Sequence, residues 1–145
     1  GGIKNLPEFT GLQLFAGNSG KANAFQLSDP TQTYILDPAD STRLADVYAY
    51  SCPDDNNRLS REWRTQTSTY FFKHNDFDYP NANTRNVEAI YNSSHRYKSV
   101  SDIQEGDIIF VGKEDKVWGV ILVTLCYDND GTANDGYLMN YKIVQ

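Results

Sequence analysis

Four aromatic side chains with polar neighbours are the residues here whose types best suit ligand recognition. They are Trp63, Tyr79, Tyr91 and Tyr97, set among Arg64, Asp76, Asp78, Asn81, Asn83 and His95. Aromatic rings offer a flat apolar face with a polar edge, so sugar rings stack on them while Asn, Asp and Arg hydrogen-bond the hydroxyls. If these side chains stand in exposed loops, Trp63, Arg64, Asp76, Tyr79, Tyr91 and Tyr97 are the expected ligand contacts. The same mixture also occurs in ordinary β-domain loops, where a residue such as Trp63 simply fills the core.

A second group is the run Asp128-Asn-Asp-Gly-Thr-Ala-Asn-Asp-Gly136. Asp128, Asp130 and Asp135 are hard oxygen donors of the kind that hold Ca2+. The EF-hand loop needs Gly at its sixth position and Glu at its twelfth, and counting from Asp128 those places hold Ala133 and Met139. That template is excluded, leaving a solvated hairpin loop or a cation site of another kind. A third group, Cys52 with His74 and His95, has the elements of a thiol nucleophile and its base. Cys52, however, precedes a proline in an acidic turn, where Asp54 and Asp55 disfavour the thiolate. No catalytic residue is assigned from the sequence. Asn92-Ser-Ser94 matches the three-residue N-glycosylation acceptor pattern.

The elements that must position these groups read as β. At 145 residues the chain has the size of one domain. Ten tyrosines suit half-buried strands, while Asn, Asp and Gly suit the turns between them. Three C-terminal segments form an antiparallel meander: Asp107-Ile-Ile-Phe-Val111, then Val117 to Tyr127, then Tyr137 to Val144. Gly112-Lys-Glu-Asp-Lys116 has the length of a hairpin connection. In the last segment Tyr137, Met139, Tyr141 and Ile143 share one face, and Leu138, Asn140, Lys142 and Val144 the other, partly wet one. The middle segment is apolar at nearly every position from Val120 to Cys126, which requires cover on both sides.

Further strands are expected at Ala24-Phe-Gln-Leu27, Thr33-Tyr-Ile-Leu36, Ala45 to Tyr50 and Thr69-Tyr-Phe-Phe72. In Ala45 to Tyr50, alternation puts Asp46, Tyr48 and Tyr50 on one face. Asp37-Pro38 is read as the cap of a two-turn helix reaching Ala45. Asn83 and Thr84 are read as the cap of a helix through Val87 and Ile90, with a strand over the same residues as the alternative, and Val100-Ser-Asp-Ile103 as a single helical turn. The expected architecture is a mainly β, antiparallel β-sandwich with one or two short helices. Residues 1–7 read as a linker or cleavage remnant, and residues 8–145 as a single domain.

Charge and composition narrow the partners. A net charge of −6 with scattered basic residues argues against a nucleic-acid partner, whose affinity comes from Lys and Arg. No window approaches 18 uninterrupted apolar residues, so no membrane-spanning helix is expected. Cys52 and Cys126 are too few for a disulfide scaffold. They either pair, closing a long loop, or bury separately as small hydrophobes.

Two resemblances bear on function. Gly106-Asp-Ile-Ile-Phe110 followed by Gly119-Val-Ile-Leu122 is similar to a hairpin of the NlpC/P60 cysteine peptidases, but Trp118 and Gly119 stand where their histidine would fall. The likeness therefore carries no chemistry. Val100-Ser-Asp-Ile103, Glu105-Gly-Asp-Ile-Ile109, Trp118-Gly-Val-Ile121 and Gly136-Tyr-Leu-Met-Asn-Tyr-Lys142, with Asp46-Val-Tyr-Ala-Tyr50 upstream, resemble a domain common in uncharacterised surface lipoproteins of Bacteroidetes. This resemblance runs from Phe15 to the end. It implies an extracytoplasmic place, at the outer membrane surface or in the periplasm, with a lipid anchor on an N-terminal cysteine outside this sequence. It also implies an adhesive, non-catalytic role toward glycan or another surface protein, without a cofactor unless the Asp128–Gly136 loop takes Ca2+. A structural spacer is the alternative, and a hydrolase ranks third.

Overall fold

The C-terminal meander forms as the patterning requires. In the computed structural model, which describes residues 4–54 and 57–144, the strands in chain order are β1 (Glu8–Phe15), β2 (Ala24–Gln26), β3 (Asp29–Tyr34), β4 (Val47–Tyr50), β5 (Glu62–Arg64), β6 (Tyr70–Lys73), β7 (Ser99–Val100), β8 (Ile108–Gly112), β9 (Val117–Tyr127) and β10 (Gly136–Ile143). Helix α1 (Thr84–Ser93) lies between β6 and β7, preceded by a 3-10 turn at Tyr79–Asn81. One antiparallel sheet runs β1-β10-β9-β8-β6, and the other β3-β2-β4-β5-β7. The chain is a mainly β protein built as a sandwich of two sheets, with α1 against the outer side of the first.

Strand β9 is sheltered front and back. Ile121 and Val123 enter the core between the sheets with Phe25, Val47, Trp63, Tyr137 and Met139. Val120 enters a second core with Phe72, Phe110 and the α1 residues Val87 and Tyr91. A three-layer stack therefore explains why nearly every residue of that run is apolar. Asn83 caps α1 as expected: its Oδ1 accepts from Asn86 N at 2.9 Å while Asn86 Oδ1 accepts from Asn83 N at 2.9 Å.

Three expectations are corrected. After Pro38 no helix forms, because the Asp37 and Asp40 carboxylates each accept the amide two residues on, Ala39 N at 3.0 Å and Thr42 N at 2.9 Å. Asp is as ready to close such turns as to cap a helix, and here the turns win. Val100 to Ile103 is not a helical turn: Val100 pairs with Trp63 in β7, and Asp102 adopts φ 54°. Residues 4–7 are not a free linker, since Leu6 is buried and donates to Ala82 O at 3.1 Å. Gly1 and Gly2, read as a cleavage remnant, lie outside the described residues. On the partly wet face of β10, where Leu138 and Asn140 are half-buried, Lys142 is itself buried, its Nζ donating to Tyr79 O at 2.7 Å and Pro80 O at 3.0 Å. Both cysteines are free thiols, and burial pushes the Cys126 thiol up.

One side of the sandwich is closed by the segment after α1. Tyr97 exchanges backbone hydrogen bonds with Phe71 of β6, at 2.6 and 2.9 Å. Two residues later the same segment becomes β7 and pairs with β5 of the other sheet. This crossing ties the two sheets together and creates the concavity described next.

Candidate functional site

A groove of about 640 Å3 lies where β6, the C-terminal end of α1 and β7 meet. It is lined by Phe72, Lys73, His74, Ser94, His95, Tyr97, Ser99, Val100 and Ser101, within the size range of small-molecule sites. After α1 the chain contributes Ser94, His95, Tyr97, Ser99, Val100 and Ser101 to the groove, bending at Lys98 between the Tyr97 bridge and β7. Tyr97 is 60% exposed and is the one aromatic among the large hydrophobic side chains exposed in the described residues. Burying such a side chain would contribute roughly 1.5–3 kcal/mol, most of which Tyr97 forgoes. Its backbone is nevertheless held on both sides by Phe71. The result is an aromatic platform on a fixed strand, among imidazole and hydroxyl groups.

Lys73, one of the lining residues, is held by one buried carboxylate. Asp107 Oδ2 accepts from Gln104 N at 2.8 Å and pairs with Lys73 Nζ at 3.0 Å, while Oδ1 accepts from Asn75 Nδ2 at 2.9 Å. Asn75 Oδ1 in turn accepts from Ile108 N at 2.8 Å, so the Asn75 amide is fixed in orientation. Burial alone would push the Asp107 carboxyl up, but the Gln104 amide, Asn75 and the Lys73 ammonium together outweigh it and hold it below its ordinary value. Lys73 Nζ also donates to Asp102 O at 2.6 Å. The His74 ring meets Phe110 edge-on at 6.2 Å. This arrangement can bind and orient a polar ring.

Of the four aromatics singled out from the sequence, only Tyr97 faces solvent. Trp63 is fully buried edge-on to Tyr137 at 5.3 Å, because β5 turns that face inward. Tyr91 packs in the core under α1 and donates to Lys113 O at 2.5 Å. Tyr79 is buried and donates to Glu8 Oε2 at 2.8 Å, its hydroxyl pushed up by burial first and by that acidic partner second. These three cannot offer a stacking face. Asp76 is exposed on the turn after β6, outside the groove lining.

Arg64 belongs to a second, larger cleft of about 980 Å3 beside β4 and β5. There its guanidinium stacks over Tyr50 at 3.5 Å and pairs with Glu62, while Arg61 donates to Ile103 O at 2.9 Å. These guanidinium groups are already engaged by the protein, which favours the Tyr97 groove as the site. Cys52 lines this second cleft and not the groove that holds both histidines, so the thiol-and-imidazole pairing is not assembled.

The three loop aspartates do not converge either. Asp128 accepts from Leu59 N at 3.0 Å and faces Arg61 at 3.8 Å. Asp135 is buried and accepts from Asn129 N at 2.8 Å, and Asp130 is exposed. Among the described residues no group of three or more His, Cys, Asp or Glu side chains is placed to hold a metal ion. No local pattern marked the groove, because the segment bends at Lys98 between its bridge to β6 and its pairing as β7. Against protein-family models, curated proteins and solved structures, the chain has no match.

Proposed function

We propose that this domain is a non-catalytic glycan-binding module that uses the Tyr97 groove, and that it serves an exported bacterial surface lipoprotein. The observation that carries the binding reading is Tyr97 itself: an exposed ring on a backbone pinned by Phe71, beside His74, His95, Ser94, Ser99 and Ser101. Stacking on that ring leaves these side chains to meet hydroxyl groups. Export and lipid anchoring are supported by the sequence resemblance alone.

A glycan array on the purified domain, with Tyr97→Ala as the paired variant, tests the reading. Specific binding that falls on the order of tenfold in the variant, equal to about 1.4 kcal/mol, is expected. Binding unchanged by the substitution would move the site elsewhere, and no binding to any glycan would leave a structural spacer as the better account.

A further inference from the structure

We propose that a hollow on the outer face of the second sheet is a separate docking site for a proline-rich, extended peptide segment of a partner protein. Val47 and Ala49 of β4 enter the core, so Tyr48 and Tyr50 face the opposite way. Beside them lies a hollow of about 400 Å3, within the size range of ligand sites, with Asn23, Leu36, Pro38 and Gln66 in its wall. Tyr50 and Cys52 line the second cleft as well, so the hollow continues past Tyr50 and has room for an extended ligand. Part of the wall is close-packed on β4, since a Cβ on Gly17 would stand 2.5 Å from Ala49 O.

The hydrogen bonds of the wall select the ligand. All three side-chain amides there commit their oxygens to the protein: Asn18 Oδ1 accepts from Ser51 Oγ at 3.1 Å, Asn23 Oδ1 from Leu36 N at 2.8 Å and Gln66 Oε1 from Ala45 N at 2.8 Å. Asn23 and Gln66 are thereby fixed in orientation, and their amide nitrogens donate to nothing among the described residues. Asn23 is only 5% exposed, yet its nitrogen is not sealed from solvent, so the hollow is where it emerges. Ser51 Oγ is used too, accepting from Asn18 N at 3.1 Å. With the Tyr48 and Tyr50 hydroxyls, the side chains of the wall offer donors in excess of acceptors. No charged side chain lines it among the described residues, so a carboxylate entering it would meet no counter-charge. A sugar hydroxyl would bring a hydrogen of its own to a wall of donors. A proline-rich segment brings carbonyl oxygens with no N–H at its prolines, and its extended helix leaves those oxygens unpaired. Arg64 covers one face of Tyr50, which leaves Tyr48, Leu36 and Pro38 to pack against the pyrrolidine rings.

The test is NMR titration of the intact, 15N-labelled domain with three probes: a short polyproline peptide, a peptide of equal length with alanine at every position, and an N-acetylated disaccharide. The polyproline peptide is expected to shift the Asn23 and Gln66 side-chain amide resonances in a saturable way and to bind about tenfold tighter than the alanine peptide. Gln66→Glu keeps an oxygen for Ala45 N but replaces the amide donor with a second oxygen, and should weaken polyproline binding about tenfold at an unchanged unfolding midpoint. Tyr48→Phe, which keeps the ring and removes one donor, should weaken it by a smaller factor and serves if the first variant does not fold. Alanine peptide bound as tightly, no shift of the two amides with polyproline, or the disaccharide preferred at this hollow would each overturn the inference. None of these outcomes decides the Tyr97 groove, which shares no lining residue with the hollow.

Discussion

Replacing Asp107 with asparagine isolates the contact that holds Lys73 beside the groove. The side chain keeps its shape, but its oxygen and nitrogen can no longer both accept. If the new oxygen stays on Gln104 N and Lys73, the new amide nitrogen faces Asn75 Nδ2, donor against donor. Asn75 cannot turn to relieve this, because its oxygen accepts from Ile108 N. The new amide nitrogen at position 107, buried and without an acceptor, costs about 1–3 kcal/mol, while the exposed Asn75 is left to solvent. The lost pairing with Lys73, whose side chain is 29% exposed against 7% for Asp107, adds about 1 kcal/mol after solvent screening.

The expected loss is therefore about 2–4 kcal/mol, read as a fall of about 1–2 M in the urea midpoint at an unchanged slope near 2 kcal/mol/M. The pH dependence has a fixed sign. The folded carboxyl titrates below its ordinary value, so its contribution is complete above the unfolded carboxylate pKa of about 3.9 and disappears as pH falls through the lower folded one. Wild type and Asp107→Asn should thus differ by a constant amount near neutral pH and converge below about pH 4. A penalty under about 0.5 kcal/mol at pH 7, or one that is the same at pH 3, would refute this account of the Asp107 contacts.

Two other outcomes follow from the packing. Trp63→Ala should cost about 3–5 kcal/mol in chemical denaturation because the ring is fully buried, and any ligand binding it loses should track the unfolded fraction. Asn83→Ala, which removes the reciprocal cap of α1, should cost about 0.5–2 kcal/mol and raise hydrogen exchange first at the Asn86 and Val87 amides; protection left unchanged there would contradict the cap.

Alternation and turn residues were enough to specify the meander and the double cover of β9, because each is a local pattern with one energetically acceptable use, whereas the Asn83 segment allowed helix or strand and the reciprocal cap with Asn86 decided for the helix. Where two local uses compete, the sequence did not discriminate. Asp37 and Asp40 could cap a helix or close turns, and the strand pairing of Val100 with Trp63 overrode the short helical reading. Exposure of the aromatics was likewise out of reach, since alternation says which side chains share a face but not which face another sheet will cover. Trp63 and Tyr97 look alike as aromatic residues among polar neighbours, yet one fills the core between the sheets and the other stands over a groove. That groove exists only because the Tyr97 segment pairs first with β6 and then with β5, bringing His74 and His95 to one wall. Such contacts between distant segments are set by how the sheets pack, which is why tertiary structure alone decided the site.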